Sequence, residues 1–173
     1  MQKTKKLTIT AFIAAITTVA SGFIYIPVGF AKIFPIQHFA NILSAVLLGP
    51  WYALAQAFIS STLRNMLGTG SLFAYPGSMI GAFLAAFMYA KTKKMTYAAL
   101  GEVIGTGILG AIATYPIAIL LLGTEATLFG LVPVFTLSSF TGAIMGYGLL
   151  KVIIKNRTVG GMMHENSTNN RRI

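Results

Sequence analysis

Few side chains in this sequence can do chemistry, and their scarcity decides which chemistry is open. The chain has no cysteine and no aspartate; its acids are Glu102, Glu125 and Glu165, and its histidines are His38 and His164. Disulfides, thiolate metal sites and cysteine nucleophiles are therefore excluded. Two histidines, one of them near the C-terminus, supply neither a metal cluster nor a nucleophile with its base, so no catalytic residue, metal site or cofactor is expected. Glu102 and His38 are expected to enter from opposite faces and so not to act as a pair.

Recognition chemistry is better served. A polar side chain inside an apolar segment is expensive and normally faces a cavity or a partner, so each one marks a candidate site. Gln37, His38 and Asn41 open one apolar segment, with His38 and Asn41 three apart on one helical face. Arg64 and Asn65 close the next segment, just before Gly68-Thr69-Gly70. If the two segments run antiparallel, all of these arrive at one level. Tyr75, Ser78, Glu102 and Tyr115 are further candidates for substrate binding, as are Pro116, Ser138 and Ser139. Each has a plainer reading. Arg64 could snorkel to headgroups, Asn41 and Asn65 could bond between helices, His38 could cap a helix, and Glu102 could serve helix packing.

The elements that must position these residues are membrane helices. Hydrophobic residues make up 55% of the 173-residue chain and charged residues only 9%, far from the composition of a soluble domain. Six apolar spans are expected: Leu7 to Ile26, Ile36 to Leu48, Trp51 to Leu67, Pro76 to Ala90, Thr96 to Leu122 and Val132 to Ile154. The second is too short to cross unaided; it must borrow length from Phe30 to Phe34 or lie partly under the preceding loop. The apolar run from Leu7 is long enough to span, so a cleaved signal peptide is rejected.

Charge distribution sets the orientation. The net charge of +10 comes from short clusters between apolar runs rather than from one basic face, which argues against nucleic acid and for cytoplasmic loops. Lys3, Lys5 and Lys6 precede the first span, Lys91, Lys93 and Lys94 follow the fourth, and Lys151, Lys155 and Arg157 end the sixth. Only an even count puts all three clusters on one side. The expected fold is thus an all-α, multi-pass bundle of six helices in the cell membrane with both termini cytoplasmic. Residues 1–155 form its transmembrane domain. Residues 156–173 form a polar tail expected to be disordered, where two matches to glycosylation sequons carry no weight. The outer connections are Pro27 to Gln37, Gly68 to Tyr75 and Gly123 to Leu131.

Small residues recur at helix-packing spacing: Ala11 and Ala15, Gly81 and Ala85, Ala82 and Ala86, Gly101 and Gly105, Gly142 and Gly146. Gly105-Thr106-Gly107-Ile108-Leu109-Gly110 fits the dinucleotide fingerprint but sits in an apolar span with no preceding strand, so packing explains it. There is no Walker A sequence, and no self-similarity relates residues 7–90 to 96–154 as an inverted-repeat transporter would require. A small receptor with an outward-facing polar site, needing an energised partner, is what these exclusions leave.

Several runs carry a family resemblance: Pro35-Ile36-Gln37-His38-Phe39-Ala40-Asn41, Ser44 to Ala53, Leu63-Arg64-Asn65-Met66-Leu67-Gly68-Thr69-Gly70, Tyr75-Pro76-Gly77-Ser78 and Gly101 to Gly107. Together they resemble the ThiW family, thiazole-specific substrate-binding S components of energy-coupling factor (ECF) transporters. The resemblance implies a six-helix S-component fold, a thiazole ligand (the hydroxyethylthiazole moiety of thiamine), and docking on a transmembrane T component driven by two ATPase subunits. It also implies that Ala11 and Ala15, an A-x-x-x-A pattern on the first helix, contact the T component. Arg64 and Lys32 would permit a phosphorylated thiazole. Competing readings are an S component for another vitamin or for the thiamine pyrimidine, or a structural or pore-forming membrane protein that binds no small molecule.

Overall fold

The structure, a computed structural model, describes residues 1–28, 31–120 and 128–154. Glu125, Lys155, Arg157, the tail with its sequons and most of the 123–131 connection lie outside the described residues. Six helices are present among the described residues: α1 (Lys3–Phe23), α2 (Pro35–Leu48), α3 (Pro50–Met66), α4 (Ala74–Thr92), α5 (Met95–Leu120) and α6 (Leu128–Ile154). Their limits fall within a few residues of the apolar runs, because glycine and proline punctuate both. Gly49 sits at φ +91°, a conformation closed to most L-residues, and Pro50 starts α3 in its first turn, so one residue suffices to turn α2 into α3.

The connection after α1 departs from an all-helical expectation. Ile26–Val28 (β1) pairs antiparallel with Ala31–Ile33 (β2), Pro27 opposite Lys32. Helix α1 stops at Phe23 rather than at Ile26. Pro27 supplies the reason, since the residue before a proline is pushed out of helical conformation. The ribbon is tied down at its far end by the Phe34 backbone N–H, which donates to Ser138 Oγ on α6 at 3.0 Å.

The ribbon also settles how α2 copes with its length. Helix α2 has 14 residues, ~21 Å at the helical rise and short of a hydrocarbon core of about 30 Å. It takes no helical length from the residues before it. Instead it is the hub of the bundle, touching each of the other five helices and burying ten of its 14 residues. Among the described residues, three helices are long and apolar enough to cross a membrane: Lys3–Phe23, Met95–Leu120 and Gly130–Ile153.

Helices α4 and α5 approach through glycine. A Cβ at Gly105 would stand 2.8 Å from Gly81 Cα, one at Gly110 2.7 Å from Gly77 Cα, and one at Gly101 2.8 Å from Ala85 Cα. Such contact substitutes for the hydrophobic drive that lipid does not provide. Gly142 and Gly146 on α6 do the same against Pro35, His38 and Ile42 of α2. The fingerprint-like Gly105–Gly110 stretch is a π-helical turn within α5, packed on α4 with no strand before it.

The resulting body is inverted relative to a soluble protein. Large apolar side chains cover the outside, Phe12 at 65% and Val152 at 70% exposure among them, while Gln37, Asn41, Gln56, Arg64 and Glu102 are buried. Lipid is the solvent that makes this arrangement favourable. Lys6 Nζ donates to the Leu48 carbonyl at 3.3 Å, bringing the start of α1 to the end of α2; Trp51 at the start of α3 meets Phe83 at the midpoint of α4, and Ala86 beyond it packs in one cluster with Ala53 and Ala45. These contacts gather Lys3, Lys5, Lys6, Lys91, Lys93 and Lys94 at one end of the bundle.

Candidate functional site

Helix α3 shows how the site is built. Its buried residues, Ala53, Gln56, Ala57, Ser60, Ser61 and Arg64, recur every three or four positions, so one stripe of small and polar side chains faces inward. Helix α2 presents Gln37, His38 and Asn41, α4 presents Ser78, and α5 presents Glu102 and Thr106.

Arg64 is only 2% exposed. Its Nη1 donates to Gln37 Oε1 at 2.9 Å and its Nη2 to the Thr69 carbonyl at 3.0 Å, while the Phe34 ring covers the guanidinium at 4.4 Å. Gln37 then passes the network inward. Its Nε2 lies 2.9 Å from Ser78 Oγ, 3.0 Å from Ser60 Oγ and 3.3 Å from Ser61 Oγ. Asn41 Nδ2 donates to Ser78 Oγ and to Glu102 Oε1, both at 2.9 Å, and Ser78 Oγ returns a bond to Asn41 Oδ1 at 3.1 Å. Glu102 Oε1 also accepts from Thr106 Oγ1 at 3.0 Å and meets His38 Nδ1 at 2.9 Å. Four helices are thereby joined from Arg64 at one end to Glu102 at the other.

A network in so dry a place is strong where it is satisfied and costly where it is not. Among the described residues, three of its buried atoms have no hydrogen-bond partner: Arg64 Nε, Gln56 Oε1 and Glu102 Oε2. No carboxylate touches Arg64 among the described residues. A buried guanidinium held by neutral acceptors alone, with a free N–H, is an unsatisfied donor. The arrangement can therefore grip a small polar molecule from several sides, with donors at the Arg64 end and a carboxylate at the other.

The structure redistributes the residues singled out from sequence. Gln37, His38, Asn41, Arg64, Ser78 and Glu102 come together. The expectation that Glu102 and His38 enter from opposite faces is overturned by their 2.9 Å contact; α2 is short and central, so its first turns lie deeper than a full-length span would place them. Snorkelling of Arg64 is likewise replaced by burial. Asn65 leaves the group, its Nδ2 donating to the Ser61 and Ser71 carbonyls and so shaping the loop after α3. Tyr75 bonds Thr62 Oγ1 at 3.2 Å and packs against Phe58, flanking the network. Tyr115 is 37% exposed on the outside of α5 and does not join. Lys32 lies over the Tyr25 ring at 4.7 Å rather than beside Arg64. Sequence reasoning missed Gln56, Ser60, Ser61 and Thr106. The first three repeat at helical spacing with Arg64, and Thr106 stands four residues from Glu102, so periodicity could have found them.

This fold is shared with a solved structure. The structure described as the S component of a bacterial ECF transporter superposes with a TM-score of 0.75, covering 89% of this chain and 98% of that chain at 18% identity. The chain thus has the S-component fold. Residues 7–156 match the ThiW family, described as thiamine-precursor transporter protein, and the chain belongs to that family. It is a multi-pass membrane protein of a transporter family, not an enzyme. A search of curated proteins gave no match.

Proposed function

We propose that this chain is the substrate-binding subunit of an ECF-type transporter and takes up hydroxyethylthiazole, the thiazole precursor of thiamine. The observation that carries the reading is the buried network from Arg64 through Gln37 and Asn41 to Glu102, set in a member of a thiamine-precursor transporter family. A small heteroaromatic ring with one hydroxyl suits a site of few, fixed polar groups. In this reading Gln37, His38, Asn41, Arg64, Ser78 and Glu102 bind substrate, with Asn65 and Tyr75 shaping the rim.

Transport follows from partners. The chain has no Walker A sequence, so a T component and two ATPase subunits supply the energy. Ala11 and Ala15 lie exposed on α1, a smooth strip against which a T-component helix can slide. The lysine-bearing end faces the cytoplasm by the positive-inside rule, which puts both termini inside and the ribbon outside in a six-span topology.

Calorimetry on the purified chain tests this. Hydroxyethylthiazole should bind and the thiamine pyrimidine should not, while Arg64→Ala should weaken binding at least about tenfold, the scale of a lost charged hydrogen bond. Binding of the pyrimidine alone would reassign the substrate. Undiminished thiazole binding by Arg64→Ala would remove that arginine from the site.

A further inference from the structure

We infer that His38 is the acceptor that reads the substrate's hydroxyl group, with Glu102 fixing the tautomer that makes it one. The inference rests on the thiazole reading above and specifies which atom recognises which part of the ligand.

Glu102 Oε1 meets three groups at once: Asn41 Nδ2 at 2.9 Å, Thr106 Oγ1 at 3.0 Å and His38 Nδ1 at 2.9 Å. Asn41 is oriented by Ser78, whose backbone carbonyl accepts from Nδ2 and whose hydroxyl donates to Oδ1. Nδ2 is therefore the donor toward Glu102. Thr106 places its hydroxyl between Oε1 and the Gly77 carbonyl, so it donates to one of two acceptors. An oxygen surrounded in this way acts as an acceptor, and the proton between it and the imidazole sits on Nδ1. In the neutral ring the other nitrogen, Nε2, then carries a lone pair. Nε2 takes part in no hydrogen bond among the described residues.

Access separates the two members of the pair. The Glu102 side chain is fully buried, whereas the His38 side chain keeps 10% exposure in the first turns of α2. The less enclosed histidine, rather than the carboxylate behind it, is the member of the pair that meets the ligand's hydroxyl. What His38 offers is an acceptor, and the ligand group that satisfies it is a donor. A free alcohol fits. A phosphate ester brings negative charge and acceptor oxygens toward an acceptor backed by a carboxylate, and both terminal nitrogens of Arg64 are already engaged by Gln37 and Thr69. The site should therefore select the alcohol over its phosphate ester.

Three probes test this on the full chain in detergent: hydroxyethylthiazole, the same ring with ethyl in place of hydroxyethyl, and the phosphate ester. Wild type should prefer the alcohol over the ethyl analogue by about tenfold or more, and over the ester as well. His38→Phe should bring the alcohol-to-ethyl ratio close to one, and His38→Gln, whose amide oxygen can accept, should restore part of it. The ratio is the readout, because general loosening of the site would weaken both ligands alike. Nitrogen-15 spectra of the two histidines, with His164→Asn to assign them, give a measurement that needs no mutation at His38. They should show an unprotonated Nε2 that shifts when the alcohol binds. An Nε2-protonated ring, a ratio unchanged in His38→Phe, or preference for the ester would overturn the inference. Failure of wild type to bind any of the three compounds would instead bring down the thiazole reading on which it stands.

Discussion

Helix α2 has two sides, and the bundle treats them in opposite ways. Toward α3, α4 and α5 it turns Gln37, Asn41 and Ala45, locked into a hydrogen-bonded and glycine-spaced interior. Toward α1 and α6 it turns Ile36, Phe39, Leu43 and Leu47, which line an apolar cavity of about 450 Å³ with Ile9, Ile13 and Leu149. One side is fixed by direction and the other only by volume. Hydrogen bonds hold atoms to tenths of an ångström, while apolar contact tolerates rearrangement. A receptor that must hold a small ligand in one pose and yet lie against lipid and other helices gains from keeping these properties on separate faces.

The largest effect should come from spoiling the close side. A Cβ at Gly81 would fall against Thr106 Oγ1 and stand 2.9 Å from Glu102 Oε2. Gly81→Leu must therefore push α4 from α5 or eject the carboxylate, at a cost of about 3 kcal/mol or more. Loss of a monodisperse folded peak in size-exclusion chromatography is the expected result. A stable variant that still binds thiazole would show that the α4–α5 contact is looser than its geometry implies.

An intermediate effect is expected on the outer surface of α1, where Ala11 and Ala15 are exposed. Ala11→Leu with Ala15→Leu should leave thiazole binding and thermal stability unchanged and abolish uptake by cells carrying the complete transporter. Unimpaired uptake would remove these alanines from the docking surface. Such a separation of binding from transport would sharpen the contrast, since no Gly81 variant should produce it.

Much of this division was legible in the sequence. Apolar runs bounded by Gly49-Pro50 and by lysine clusters placed the helices, because a bilayer demands unbroken apolar length. Gln37, Asn41 and Arg64 stood out because a polar residue in such a run needs a partner. Rotation about the helices was harder to read from neighbours. Asn65 is adjacent to Arg64 but about 100° around the helix from it, which sends it to the loop. Tyr115 belongs with Ile108, Ile112 and Ile119, an exposed stripe at helical spacing that marks it as outward-facing. Depth was hardest. Counting inward from each end put His38 and Glu102 apart, and only the shortness and burial of α2 brings them together. The ribbon was invisible because two three-residue strands leave too little pattern.

The smallest effect belongs to the apolar side. Leu43 is partly buried and packs against two apolar clusters while lining the cavity. Leu43→Ala enlarges a space that already exists, so the cost should be about 1–2 kcal/mol, below the range for a fully enclosed leucine. Thiazole affinity should stay within about twofold, because Leu43 points to the apolar side of α2 and its side chain makes no hydrogen bond with the network. Thermal unfolding in one detergent, with and without thiazole, separates the two quantities. A large loss of affinity in Leu43→Ala would mean that the apolar face sets the position of Gln37 and Asn41 across the helix, and the two sides of α2 would then have to be treated as one mechanical unit.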